Sequence, residues 1–113
     1  MKAIKAIVQP FQLSAVVEAL EQIAGLPSLT LCDVRGFARQ RGRNTRDSLD
    51  DEGILYAKKV QIEVVVPDAL AEDVIRTIRD SAHTGNPGDG KIFVSSVDDA
   101  IRVRSGDRGD AAL

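Results

Sequence analysis

Between residues 58 and 66 an apolar side chain recurs at every second position, Val60, Ile62, Val64 and Val66, with Gln61, Glu63 and Val65 between them. A period of two marks a strand with one buried face. Pro67 stops the run, and over residues 68–82 the period changes. Leu70, Val74, Ile75, Ile78 and Ala82 now form the single stripe of an amphipathic helix, with Asp68 as the expected N-cap. The first part of the chain has the same order. Residues 2–9 read as a strand, and Pro10 holds the residue before it extended. Residues 13–24 place Leu13, Val16, Val17, Leu20 and Ile23 at helical spacing, with Ser14 as a cap and Gly25 and Pro27 as the stop. Residues 28–37 alternate again, Leu29, Leu31 and Asp33 on one face, Thr30, Cys32 and Val34 on the other. Residues 91–97 make a fourth strand. The order β-α-β-loop-β-α-β predicts an α+β, ferredoxin-like βαββαβ sandwich with a long loop between strands 2 and 3.

The chain has 113 residues, enough for one domain, 1–113, and one modest core. Right-handed crossovers put both helices on one face of the sheet. The other face is expected to carry Lys5, Thr30, Cys32, Gln61, Glu63 and Val65. It is too apolar for open solvent and too polar for a core, and a ring of protomers would cover it. The net charge of −2 and the low aromatic content argue against nucleic acid as a partner. No apolar run approaches a membrane span, and no secretory signal opens the chain. The single cysteine, Cys32, is expected to be a small buried residue, and one Cys with one His makes no ordinary zinc site in a single chain.

Residues 38–57 lose all apolar periodicity. Arg39, Arg41, Arg43 and Arg46 come first, then Asp47, Asp50, Asp51 and Glu52. A structureless loop of about twenty residues is uncommon in a compact domain and is usually functional. Its two signs of charge make a self-neutralising segment able to pair with partners of either sign.

Residues 85–91 have the spacing G-x-x-x-x-G-K, but Ile92 stands where a P-loop needs Ser or Thr for Mg²⁺. The segment also follows a helix and opens a strand, the reverse of a P-loop, so that fold is excluded. Backbone amides of a glycine-rich turn still make an anion nest. Lys91 sits at its edge. Arg102 and Arg104, at strand spacing, are expected to point one way and to add two cations suited to a polyphosphate. The tail, residues 106–113, is polar and expected to be mobile.

Several stretches in order, KAIVQPFQL, VRGFARQRG, KVQIEVVV, TGNPGDGKIFV, AIRVRSG and DAAL, resemble the PII signal-transduction proteins over nearly the whole chain outside residues 43–57. The resemblance implies a cytoplasmic homotrimer, recruited at times to a membrane protein. Such a trimer binds ATP or ADP, with AMP as a further candidate, in clefts between subunits. It regulates a target transporter or enzyme through a long T-loop, here residues 38–58. Residues 83–91 match the B-loop, and 102–113 the C-terminal segment.

Position by position, the resemblance assigns the nucleotide to Gly85, Gly88, Asp89, Gly90 and Lys91 of the B-loop. It adds Ile7, Gly36, Phe37, Ala38, Arg39 and Gln40 around the T-loop root, and Thr30 and Glu63 near the adenine. Arg102 and Arg104 reach phosphates across the subunit boundary. Where such proteins sense 2-oxoglutarate, Gln40 helps hold Mg²⁺ and Lys59 pairs with a carboxylate; a related branch responds to bicarbonate.

The chain departs from the family pattern at Ala38, where glycine is frequent, and at Asn86, where lysine is usual. The modified tyrosine of many members falls on Glu52, the arginine that enters ammonium channels on Ser48, and a phosphorylated serine on Asp50. The T-loop is therefore divergent and lacks the familiar modification sites; Tyr56 is the one tyrosine of the chain.

Two other classes are set against this one. A small nucleotide hydrolase would need Asp89 as its base, the only carboxylate of the glycine-rich turn. A metal-binding ferredoxin-like trimer would repeat His83 or Cys32 by symmetry. For His83 itself, at the helix end, a capping or surface position is expected.

Overall fold

The computed structural model describes residues 1–37, 47–49 and 55–113, with the backbone course alone for 47–49 and 55. Strands β1 (Lys2–Val8), β2 (Thr30–Gly36), β3 (Asp47–Leu49), β4 (Leu55–Val66) and β5 (Gly90–Ser96) and helices α1 (Leu13–Glu21) and α2 (Asp68–Ala82) follow one another along the chain, with short 3₁₀ turns at Pro10–Gln12 and Gly109–Ala112. The main sheet has the antiparallel order β2-β4-β1-β5, with β3 added to β4. This is the ferredoxin-like arrangement expected from the element order.

The register explains the core. Ile4 stands opposite Val64 and Ala6 opposite Ile62. These residues, with Val8 and Val66, are buried against Val16 and Leu20 of α1 and Ala71, Val74 and Ile78 of α2. Both helices thus cover one face. On the other face Thr30 stands opposite Glu63, Cys32 opposite Gln61, and Lys5 opposite both Glu63 and Phe93. That face holds every residue expected on it from the alternation. Cys32, however, is exposed rather than buried, because both helices pack on the opposite face of the sheet.

Other expectations change in detail. α1 ends at Glu21, short of residue 24, and starts from Gln12 without a side-chain cap, so Ser14 does not serve as one. Pro67, not Asp68, occupies the N-cap of α2; Asp68 lies in the first turn, where the Met1 ammonium donates to it at 2.9 Å.

Part of the expected loop is strand. Asp47–Leu49 and the start of β4 pair as a ladder, Asp47 with Ala57 and Leu49 with Leu55. Antiparallel backbone bonds need no apolar face, so periodicity does not register them. Ala57, itself buried, pairs with Gly36 as well as with Asp47. Both stems of the loop are therefore fixed on one residue.

The tail is built in. Ile101 bridges Arg108, the Gly109 amide donates to the Ala100 carbonyl at 3.0 Å, and the Arg108 guanidinium pairs with Asp99. Asp99 is held below the usual carboxylate range, first by the Arg108 hydrogen bond and then, against the opposing effect of burial, by the Ala100 and Gly109 amides and the Arg108 charge.

Candidate functional site

The turn between α2 and β5 is organised by one carboxylate. His83 caps α2 at an exposed position, its amide donating to the Arg79 carbonyl at 3.2 Å. Asp89 then accepts from the Thr84 amide at 2.8 Å, from the Gly85 amide at 2.9 Å and from the Thr84 hydroxyl. Burial raises the Asp89 pKa, but these hydrogen bonds and the nearby His83 outweigh it, and the carboxyl ends below its ordinary value. An ionised carboxylate with three donors is a fixed part of the scaffold and a poor general base.

Of the three glycines of this turn with left-handed φ, two bear directly on the site. Gly88 has φ +93°, in the left-handed region. Gly90 has φ +115°, and a Cβ there would lie 1.8 Å from the Ile7 carbonyl oxygen. The loop is thus pressed onto β1, which also sets Ile7 opposite Lys91. The Gly88 carbonyl is tied inward, accepting from Lys59 Nζ at 2.6 Å and from Gln9 Nε2 at 2.7 Å. Gln9 is a buried polar residue that no sequence pattern singled out. Its only signal is its place between the apolar run of β1 and Pro10, where a polar side chain must find a partner.

The root of the long loop lies at the same end of the sheet. Gly36 ends β2 opposite Ala57, two residues from Lys59, and Phe37 next to it is 71 % exposed. Ala38, Arg39 and Gln40 lie outside the described residues. Ile7, Gly36, Lys59, Gly88, Asp89, Gly90 and Lys91 are therefore brought to one sheet end.

Thr30, Glu63 and Arg102 are brought together elsewhere. They line a cleft of about 460 Å³ at the β2 edge, together with Pro27, Ala112 and Leu113. The Arg102 guanidinium donates to the Leu113 carbonyl oxygen at 2.7 Å and, more weakly, to that of Ala112 at 3.4 Å. Arg104 lies in a turn closed by hydrogen bonds from the Arg102 amide to the Asp107 carbonyl and from the Gly106 amide to the Arg102 carbonyl. The strand spacing assumed for Arg102 and Arg104 does not hold, so they need not point one way. The glycine-rich loop lies beside Lys59 of β4, whereas the Arg102 cleft lies beside Glu63, Val64 and Val65, further along the same strand. The glycine-rich loop and Arg102 do not meet within one chain.

Among the described residues no three His, Cys, Asp or Glu side chains gather into a metal-binding group, and no helix is long and apolar enough to cross a membrane.

The family described as nitrogen regulatory protein P-II matches residues 1–107. Curated relatives of the same name are 44 % identical in Rhodospirillum rubrum and 45 % in Rhizobium meliloti, each over 113 residues and the full length of both chains. Nitrogen regulatory protein P-II 1 of Escherichia coli is 42 % identical over the same span. Among solved structures, Arabidopsis thaliana PII bound to citrate superposes with a TM-score of 0.80 at 41 % identity, covering 99 % of this chain and 91 % of the other. Full-length identity, the ferredoxin-like sheet and the glycine-rich turn agree: the chain belongs to the PII family of nitrogen regulatory signalling proteins.

Proposed function

We propose that this protein is a cytoplasmic homotrimer that binds ATP or ADP in the clefts between its subunits and regulates a partner transporter or enzyme through its T-loop. The observation that carries the reading is the form of the loop from Thr84 to Lys91. Its carboxylate and one carbonyl are turned inward, onto Thr84, Gly85, Gln9 and Lys59. The amides of Gly88 and Asp89 make no hydrogen bond among the described residues. Backbone donors beside the Lys91 ammonium suit a phosphate chain. In a trimer, Arg102 and Arg104 of a neighbouring copy supply the cations that one chain keeps away from this loop. The uncovered sheet face, with Phe93 half exposed, supplies the surface for that association.

Mg²⁺ would enter with the phosphates, since it is held mostly by phosphate and water oxygens, with Gln40 as a further ligand. Lys59 and Gln40 at the loop root would receive 2-oxoglutarate or bicarbonate. The relative from Arabidopsis thaliana is bound to citrate, so a protein of this fold holds a small polyanion. A nucleotide that touches both the turn and the root changes which T-loop shapes a partner meets. A difference of about 1.4 kcal/mol between ATP and ADP changes that ratio tenfold. The hydrolase reading would use Asp89 as base and runs against its three donors.

Calorimetric titration with ATP, ADP and AMP, each with and without Mg²⁺, 2-oxoglutarate and bicarbonate, tests the reading. Saturable binding of ATP or ADP with little phosphate release is expected. Absence of binding by every nucleotide overturns it.

A further inference from the structure

Gln9, the residue after β1, is 4 % exposed, and its Nε2 reaches across to the Gly88 carbonyl at 2.7 Å. Lys59 Nζ reaches the same oxygen from β4 at 2.6 Å. A peptide unit is planar and trans, so its C=O and N–H point in opposite directions. With the Gly88 oxygen drawn toward Gln9 and Lys59, the N–H of Asp89 must face away from them, outward from the buried side of the turn. Gly88, at φ +93°, lacks the Cβ that would otherwise resist a change in this peptide. Nothing on the Gly88 side of the peptide opposes its rotation; on the other side the Asp89 carboxylate is held by Thr84 and Gly85, and the two donating side chains hold the carbonyl itself.

We infer that Gln9 is a positioning residue that sets the polarity of the Gly88–Asp89 peptide and so decides whether this turn presents a donor or an acceptor to an anion. The inference rests on the anion-binding reading of the turn and names the residue that makes the turn competent for it. The two donors are not equivalent. Lys59 carries a charge and has a long, half-buried chain, so an arriving carboxylate can draw its ammonium away from the carbonyl. Gln9 is neutral and buried, and keeps the carbonyl turned inward when Lys59 is engaged elsewhere. An acceptor in its place would repel the Gly88 oxygen and compete for Lys59. Either change favours the flipped peptide, which presents a carbonyl to phosphate.

The test compares wild type with Gln9→Met, which keeps length and apolar packing but removes the donor, and with Gln9→Glu, which replaces it by acceptors. Crystal structures of the ligand-free proteins give the peptide orientation, and calorimetry gives the ATP affinity. The expected result is a Gly88–Asp89 peptide turned away from its wild-type orientation in Gln9→Glu. ATP affinity is expected to fall about tenfold in Gln9→Met, the effect of about one lost hydrogen bond, and further in Gln9→Glu. Oligomeric state should be unchanged in Gln9→Met. A merely structural role would lower the melting temperature and leave the peptide orientation as it was. An unturned peptide in both variants overturns the inference. If wild type itself binds no ATP, the nucleotide reading fails, and the peptide orientation alone still decides the role of Gln9.

Discussion

The ammonium of Lys59 donates to the carbonyl of Gly88 at 2.6 Å, joining the strand that leaves the long loop to the glycine-rich turn between α2 and β5. Two residues before Lys59 stands Ala57, which holds both stems of that loop. A ligand at the turn and a ligand at Lys59 therefore act on one short stretch of β4. On the proposed function, this link makes the two binding events interdependent, and by linkage each must change the affinity for the other by the same factor.

Lys59→Ala removes the link. ATP affinity should become insensitive to 2-oxoglutarate and bicarbonate, while the fold stays intact. Calorimetric titration of ATP at several effector concentrations checks this, and a retained effector response would place the effector elsewhere.

Gly90→Ala should be among the most damaging single changes in the chain. Its Cβ would stand 1.8 Å from the Ile7 carbonyl oxygen, a backbone atom that cannot move without disturbing the β1–β5 ladder. A loss of about 2–4 kcal/mol is expected. Gly106→Ala is the control. It shares the left-handed φ, +77°, but nothing lies within 4 Å of its Cβ. Its cost should be about 1–2 kcal/mol, from backbone strain alone. Urea denaturation of the two variants gives both values.

Asp89 and Asp99 both titrate below their ordinary value of 3.8 in the folded chain. Each therefore contributes stability that is fully present above that value. The contribution is lost as pH falls through the lower folded value. Melting temperature should hold down to about pH 5 and then drop steadily toward pH 2, and Asp89→Asn should flatten part of that slope. An unchanged slope in Asp89→Asn would show that its hydrogen bonds to Thr84 and Gly85 do not contribute.

Much of the fold was legible because burial on one sheet face leaves a period-two trace. Val60, Ile62, Val64 and Val66 mark β4 from residue 58 to its end, though not its start at Leu55, and Leu70, Val74, Ile75, Ile78 and Ala82 give α2 to the residue. The composition of the uncovered face followed from the same alternation. Pairing of β3 with β4 left no such trace, since it is made by backbone groups of a polar segment. The tail was misread for a related reason. Its order comes from Arg108 with Asp99 and from Arg102 with Ala112 and Leu113, contacts that hydropathy does not weigh. At the site, Asp89, Gly90 and Lys91 were visible as a glycine-rich turn. Gln9 was not, because its importance arises from a carbonyl 79 positions away in the chain.

Arg102→Ala should weaken nucleotide binding although within one chain this arginine lines a cleft apart from Gly88. In the free chain its guanidinium is engaged by the Ala112 and Leu113 carbonyls, so the substitution should also loosen the last residues. Hydrogen exchange of residues 109–113 should rise in the variant. Protection unchanged from wild type would mean that the 3₁₀ turn at Gly109–Ala112 holds the tail without Arg102.

Whether each nucleotide is held by the turn of one subunit and the arginines of another is tested by mixing two defective proteins. Lys91→Ala and the double variant Arg102→Ala/Arg104→Ala should each bind ATP poorly alone. Unfolded together in equal amounts and refolded, they should form mixed trimers in which about a quarter of the clefts unite an intact turn with intact arginines. Recovered ATP binding at about that fraction of clefts is the predicted result. A mixture that binds no better than its parts, although mixed trimers form, would contradict a shared site.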